Sequence, residues 1–168
     1  MPDGVSLLLI LVVLLPVGFD YIKDFHDTGN AIATSVWARA LRPSHAIVMS
    51  AAANFIGALT GTAVAKTIAS GIAQTPAGDD GQIVVAAALV GAIAWNLITW
   101  RLGIPSSSSH ALIGGLIGSA IASSGFESLQ VEGIFNKVIV PLIGSPILGV
   151  VLGFALMVVL LNVFKRAH

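Results

Sequence analysis

Apolar residues in this chain gather in long runs, without the period of two of a half-buried strand or the three-to-four spacing of an amphipathic surface helix. The first run, VSLLLILVVLLPVGF, extends from Val5 to Phe19 and stops when Asp20, Lys23 and Asp24 arrive, short of the roughly 20 apolar residues that span a bilayer. Four more follow, from about His45 to Ala69, Gln82 to Trp100, Ile104 to Ser124 and Phe135 to Phe164. Each is near or above the length that crosses about 30 Å of hydrocarbon. The last holds Pro141 and Pro146, which predicts a kinked or tilted helix. A shorter helical pattern runs from Ala31 to Leu41. The pattern predicts an all-α membrane protein with about five to six apolar helices.

Composition strengthens that reading. Of 168 residues, 56% are hydrophobic and only 10% charged, and the mean hydropathy is +0.95, far above soluble domains. Eight basic and eight acidic residues cancel, so no basic face exists to hold nucleic acid. Without cysteine there is no disulfide, no thiolate metal site and no cysteine nucleophile. No Lys or Arg precedes the first apolar run, Asp3 does, and no small-residue cleavage pattern follows, so the run reads as a retained membrane segment.

The connecting segments divide by sign. Arg39 with Arg42, Arg101, and Lys165 with Arg166 mark basic connections, whereas Asp79 with Asp80 and Glu127 with Glu132 mark acidic ones. If the last four runs each cross, every basic connection falls on one side, which the positive-inside tendency makes cytoplasmic. Against a full crossing stands GIPSSSSHALIGGLIGSAIASSG, from Gly103 to Gly125, whose proline, serines and glycines suit a re-entrant hairpin buried in protein or lining a wet cavity. We expect the hairpin.

Two polar clusters carry candidate chemistry. Asp24, His26, Asp27 and Asn30 fall where apolar residues surround them, and a carboxylate within a membrane segment is costly enough to need a partner, a cation or water. Asp27 and Asn30 are three apart and share a helix face. Gly29 permits a break there, and a broken helix offers carbonyls to a cation and N–H groups to an anion. The competing reading is an exposed loop. In the second cluster, Ser106, Ser107, Ser108 and Ser109 supply hydroxyl donors without fixed charge, and Pro105 suits a helix start whose free N–H groups attract an oxyanion. Here the competing reading is an ordinary serine N-cap; His110 adds a donor or a proton carrier. Asn54, Thr60, Asn96 and Thr99 read as helix-bridging polar residues beside close-packing segments such as GALTGTAVA, and Trp37, Trp95 and Trp100 as interfacial or packing aromatics. Asn96 stays a candidate because Trp95-Asn96-Leu97 leads into the serine segment.

At these residues the sequence resembles the inorganic phosphate transporter (PiT) family of secondary carriers. FHDTGNAIATSVWARAL resembles the family signature, in which an Asn-Asp or His-Asp pair precedes a small residue and Asn-Ala. WNLITWRLGIPSSSSHALIGGLIG resembles its second landmark, a Pro-Ser/Thr-rich tip and a His that open a hairpin. The resemblance implies phosphate uptake coupled to Na⁺ or H⁺. It places Asp27, Asn30 and the serines from Ser106 to Ser109 around phosphate, with Asp27, Asn30, Asp24 and Asn96 as ion-binding candidates and His26, Thr34 and His110 as secondary ones. No cofactor and no metal beyond Na⁺ is implied. Lys23-Asp24 stands where the family commonly has Asn-Gly, which alters local ion coordination.

Family members resemble two inverted repeats, and this chain holds one copy of each landmark. The expectation is therefore a single transmembrane repeat over residues 1–168, half of a transporter, completed by a second repeat or another copy of the chain in a plasma or inner membrane. The alternatives are a structural half that transports nothing and an anion channel. An enzyme is not expected: no Gly-x-Ser-x-Gly elbow occurs, and adjacent Ser109-His110 is no nucleophile–base arrangement.

Overall fold

The computed structural model describes residues 7–60 and 71–165, without the side chains of Leu7, Leu9, Phe25, Asn30 and Thr60. The described residues are helical, with no strand among them beyond an isolated bridge between Ala73 and Leu129. The chain divides into two units, residues 1–129 and 130–168.

The first unit opens with α1, Leu7–Trp37, a single helix of 31 residues. The expected break at the signature does not occur: α1 passes through Asp24, Asp27 and Gly29 and absorbs both the short first run and the pattern from Ala31. Backbone economy explains the difference. A glycine inside a helix costs only about 1 kcal/mol relative to alanine, whereas opening the ladder among apolar neighbours strands N–H and C=O groups that each cost several kcal/mol. Nothing lies within 4 Å of a Cβ built at Gly29, so no close approach demands the glycine. At the end of α1, Ala40 and Leu41 both donate to the Ser35 carbonyl, and Arg39 adopts φ 55°.

Helix α2, Pro43–Thr60, starts on a proline, whose missing N–H costs nothing in a first turn. It packs on α1. The remainder of the second apolar run, to Ala69, lies outside the described residues, as does most of GALTGTAVA. The chain resumes in a buried stretch at Ile72 and Ala73, where Gln74 donates to the Ser128 carbonyl at 2.8 Å.

Helix α3, Asp79–Leu102, has Asp79 and Asp80 in its first turn and Arg101 in its last, signs that suit the helix dipole. It ends on Gly103 in the left-handed region at φ 66°, whose N–H caps the Thr99 and Trp100 carbonyls. Helix α4, Ser108–Ser124, returns antiparallel to α3 with Ser107 as N-cap. The contact between them is backbone to backbone: a methyl group at Gly115 would sit 3.2 Å from the Ala88 carbonyl carbon and still closer to its oxygen. Phe19 of α1, with Leu89 and Ala92 of α3, forms the core, and Leu15, Ile93, Ala111 and Leu112 pack around it.

The second unit is α5, Val131–Phe164, a helix of 34 residues whose most apolar 18-residue stretch has mean hydropathy 2.8. None of its α-helical residues is buried. The expected proline distortion takes the form of a π turn over Phe135–Ile139, in which the Val140 N–H reaches the Phe135 carbonyl five residues back. Pro141, the next residue, has no N–H to give, and the wider turn accommodates the missing ladder bond. By length and composition α3 and α5 are long and apolar enough to cross a membrane. Helix α4, at 17 residues, stands at the lower end of the range for a full crossing.

Candidate functional site

The two polar clusters meet. Ser108 Oγ donates to Asp27 Oδ2 at 2.5 Å, joining α1 to the first residue of α4 across 81 positions of sequence. The other carboxylate oxygen, Oδ1, lies 3.3 Å from His26 Nδ1. Burial differs sharply around this group: the His26 side chain is 6% exposed and that of Asp27 41%, while Ser108 is 1% exposed. The carboxylate is thus held from the protein side by a buried hydroxyl and a buried imidazole and keeps an open flank.

Asn96 lies on α3, next to Trp95. Gly115 against Ala88 and Ser106 against Trp95 set the antiparallel register of α3 and α4. Asn96 is 0% exposed. Neither its Oδ1 nor its Nδ2 has a hydrogen-bond partner. A buried amide left unsatisfied costs about 1–3 kcal/mol per group, and such orphans call for a reason. One turn on, Thr99 by contrast returns its hydroxyl proton to the Trp95 and Asn96 carbonyls at 2.9 and 3.1 Å.

The four serines do not form one cradle. Successive residues around a helix start diverge by about 100°, so each finds a different neighbour. Ser106 Oγ accepts from Trp95 Nε1 at 3.0 Å, Ser107 Oγ caps the His110 N–H at 3.4 Å, Ser108 takes Asp27, and Ser109 is exposed. A cavity of about 430 Å³ opens beside this helix start, lined by Trp95, Ser106, Ser107 and His110 with the small residues Gly91 and Gly114. Trp95, read from sequence as a packing aromatic, is therefore part of the site. Its position in the last turns of a helix that leads straight into the serines is the signal that marks it.

Other candidates lie elsewhere. Asp24 lines a separate groove of about 420 Å³ between α1 and α2, with Thr28, Asn54 and Phe55. It shares no contact with Ser108. Thr34 is exposed nearly two turns beyond Asp27. Asn30 belongs to α1, but its side chain lies outside the described residues.

Comparison with known proteins gives this geometry its context. Residues 24–168 match the family described as "Phosphate transporter family". A "Probable low-affinity inorganic phosphate transporter" of Bacillus subtilis is 53% identical over 166 residues, covering 99% of this chain and 50% of the relative. A protein of the same description from Streptomyces halstedii is 48% identical over 160 residues, covering 95% of this chain and 74% of the relative. "Low-affinity inorganic phosphate transporter PitA" of Escherichia coli is 36% identical over 156 residues, covering 87% of this chain and 31% of the relative. No solved structure matches. The chain spans about half the length of the Bacillus relative. With the family match reaching from the α1 carboxylates through the serine turn to the end of α5, the chain belongs to the phosphate transporter family.

Proposed function

We propose that the chain forms one repeat of a secondary carrier that moves inorganic phosphate across a plasma or inner membrane together with Na⁺ or H⁺. The observation that carries this reading is the hydrogen bond from Ser108 to Asp27, which joins two polar clusters with chemistry suited to an anion and a cation. Phosphate is assigned to the start of α4, where Ser106, Ser107 and His110 line the cavity at the positive end of a helix, with Ser109 exposed beside them. The cation is assigned to Asp27, with Asn96 Oδ1 and the Asn30 amide as further ligands and Asp24 and Thr34 as outlying candidates. Separating the two charges in this way removes a conflict, because Asp27 and a phosphate oxyanion repel unless a positive charge lies between them.

A second repeat, or another copy of the chain, completes the carrier. The length of the relatives supports this. A carrier needs no catalytic residue and no cofactor for this work. The test is uptake of labelled phosphate into proteoliposomes under an imposed Na⁺ or pH gradient. It is run with the chain alone and with the chain fused to the second half of the Bacillus relative. Saturable uptake driven by one gradient supports a carrier; uptake that neither saturates nor responds to a co-ion indicates a channel, and none in either arrangement leaves a structural half.

A further inference from the structure

We infer that Trp95 is a positioning residue for the anion: its indole N–H holds the Ser106 hydroxyl so that the hydroxyl proton is left for a ligand in the cavity at the start of α4. This rests on the assignment of phosphate to that cavity. Trp95 stands in the last turns of α3, and Ser106 in the turn from Gly103 to Ser107 that joins α3 to α4. Both ends of the turn are fixed. Gly103 and Ile104 donate to the Trp100 and Thr99 carbonyls at 3.1 and 2.9 Å, and Ser107 caps the first turn of α4. Between them Pro105 has no N–H to give, and Ser106 is tied back to α3 by the 3.0 Å bond from Trp95 Nε1. Both residues line the cavity of about 430 Å³. Trp95 is 53% exposed, so burial of its ring does not account for its place beside Ser106.

An indole nitrogen can only donate, whereas a hydroxyl has one proton and two lone pairs. The Trp95 N–H therefore occupies one Ser106 lone pair and excludes the hydroxyl proton from that direction. Without the tie the serine oxygen is free to move among its staggered rotamers; with it the oxygen is held, and its proton is left for an acceptor in the cavity. A hydroxyl that accepts a hydrogen bond is also polarised into a stronger donor. An oxyanion gains from both effects. Trp95 need touch no phosphate oxygen to supply them, because it acts through Ser106. Its own main chain is steadied in turn, since the Trp95 carbonyl receives the Thr99 hydroxyl at 2.9 Å.

The test is equilibrium binding of labelled inorganic phosphate, at fixed pH and Na⁺, to the full chain in lipid nanodiscs for the wild type, W95F, S106A, S106T and W95F/S106A. W95F keeps an aromatic ring but loses the N–H, and should weaken binding about fivefold, the scale of one net hydrogen bond. The double variant should bind no worse than S106A alone, because the tryptophan then has nothing left to hold. S106T, which keeps the hydroxyl, should bind within about twofold of the wild type. A Trp95 that serves only packing would add its loss to that of S106A. Additive losses, or a W95F protein that binds like the wild type, overturn the role of Trp95 and leave phosphate assigned to the cavity. Should W95F not fold, the indole N–H resonance of Trp95, one of three tryptophans, replaces it. Phosphate should shift that signal in the wild type and S106T but not in S106A; an unmoved wild-type signal, or an equal shift in S106A, overturns the inference. A wild type that binds no phosphate at all removes the assignment of phosphate to this cavity and the role of Trp95 together.

Discussion

Asp27 is more exposed than either group that bonds it, and that imbalance decides what its replacement does. Asp27→Asn keeps the shape and the contact to Ser108 but removes the charge on which the proposed cation site depends. Fold stability should change by about 1 kcal/mol or less, in keeping with one net hydrogen bond, whereas gradient-driven phosphate uptake should fall at least about tenfold. Thermal unfolding in detergent alongside uptake separates the two effects. Asn96 makes the converse case. Its amide is fully buried without partners, so Asn96→Leu removes an unsatisfied group of similar volume and should raise unfolding stability by about 1–3 kcal/mol. The same substitution should weaken Na⁺ binding. Stability gained as binding is lost would mark Asn96 as a residue kept for its ligand; a destabilised Asn96→Leu would count against it.

At the scale of helices, contact distance is the controlling variable. Helices α3 and α4 touch through backbone at Gly115 and Ala88, and a side chain there forces them apart. Gly115→Val should cost about 1–3 kcal/mol, the usual penalty for overpacking, and loosen the Trp95–Ser106 bond, which tryptophan emission would report. Gly118→Ala on the same helix meets nothing within 4 Å and should stabilise by up to about 1 kcal/mol through helix propensity. The serine and signature clusters, joined through Ser108 and Asp27, stood out in the sequence because polar residues in apolar runs are conspicuous. The course of α1 was not, because charge at Asp20, Lys23 and Asp24 looks like a boundary in hydropathy while the backbone ladder ignores side-chain charge. Nor was the dispersal of the four serines, since adjacency in sequence says nothing of the 100° turn between neighbours. The π turn before Pro141 was visible only as an expected distortion.

For the molecule as a whole, the exposed surface of α5 is the largest unanswered demand. Val150 is 73% and Phe154 72% exposed, in a helix with nothing buried, and such a surface requires lipid or another helix. The chain contains no cysteine, so single introduced cysteines report accessibility without background. In membranes Val150→Cys should resist a water-soluble maleimide, and Ala77→Cys, in the exposed connection before α3, should react readily. Rapid labelling at Val150 would contradict a membrane position for α5. The unbroken course of α1 also bears on how motion could spread. Beyond Pro16, a rod with no break transmits displacement along its length, so any turn of α1 that draws Asp27 away from Ser108 must shift the Phe19 packing and the Asp24 groove at the same moment. One stiff lever then replaces the pair of independent half-helices that a break at Gly29 would have made.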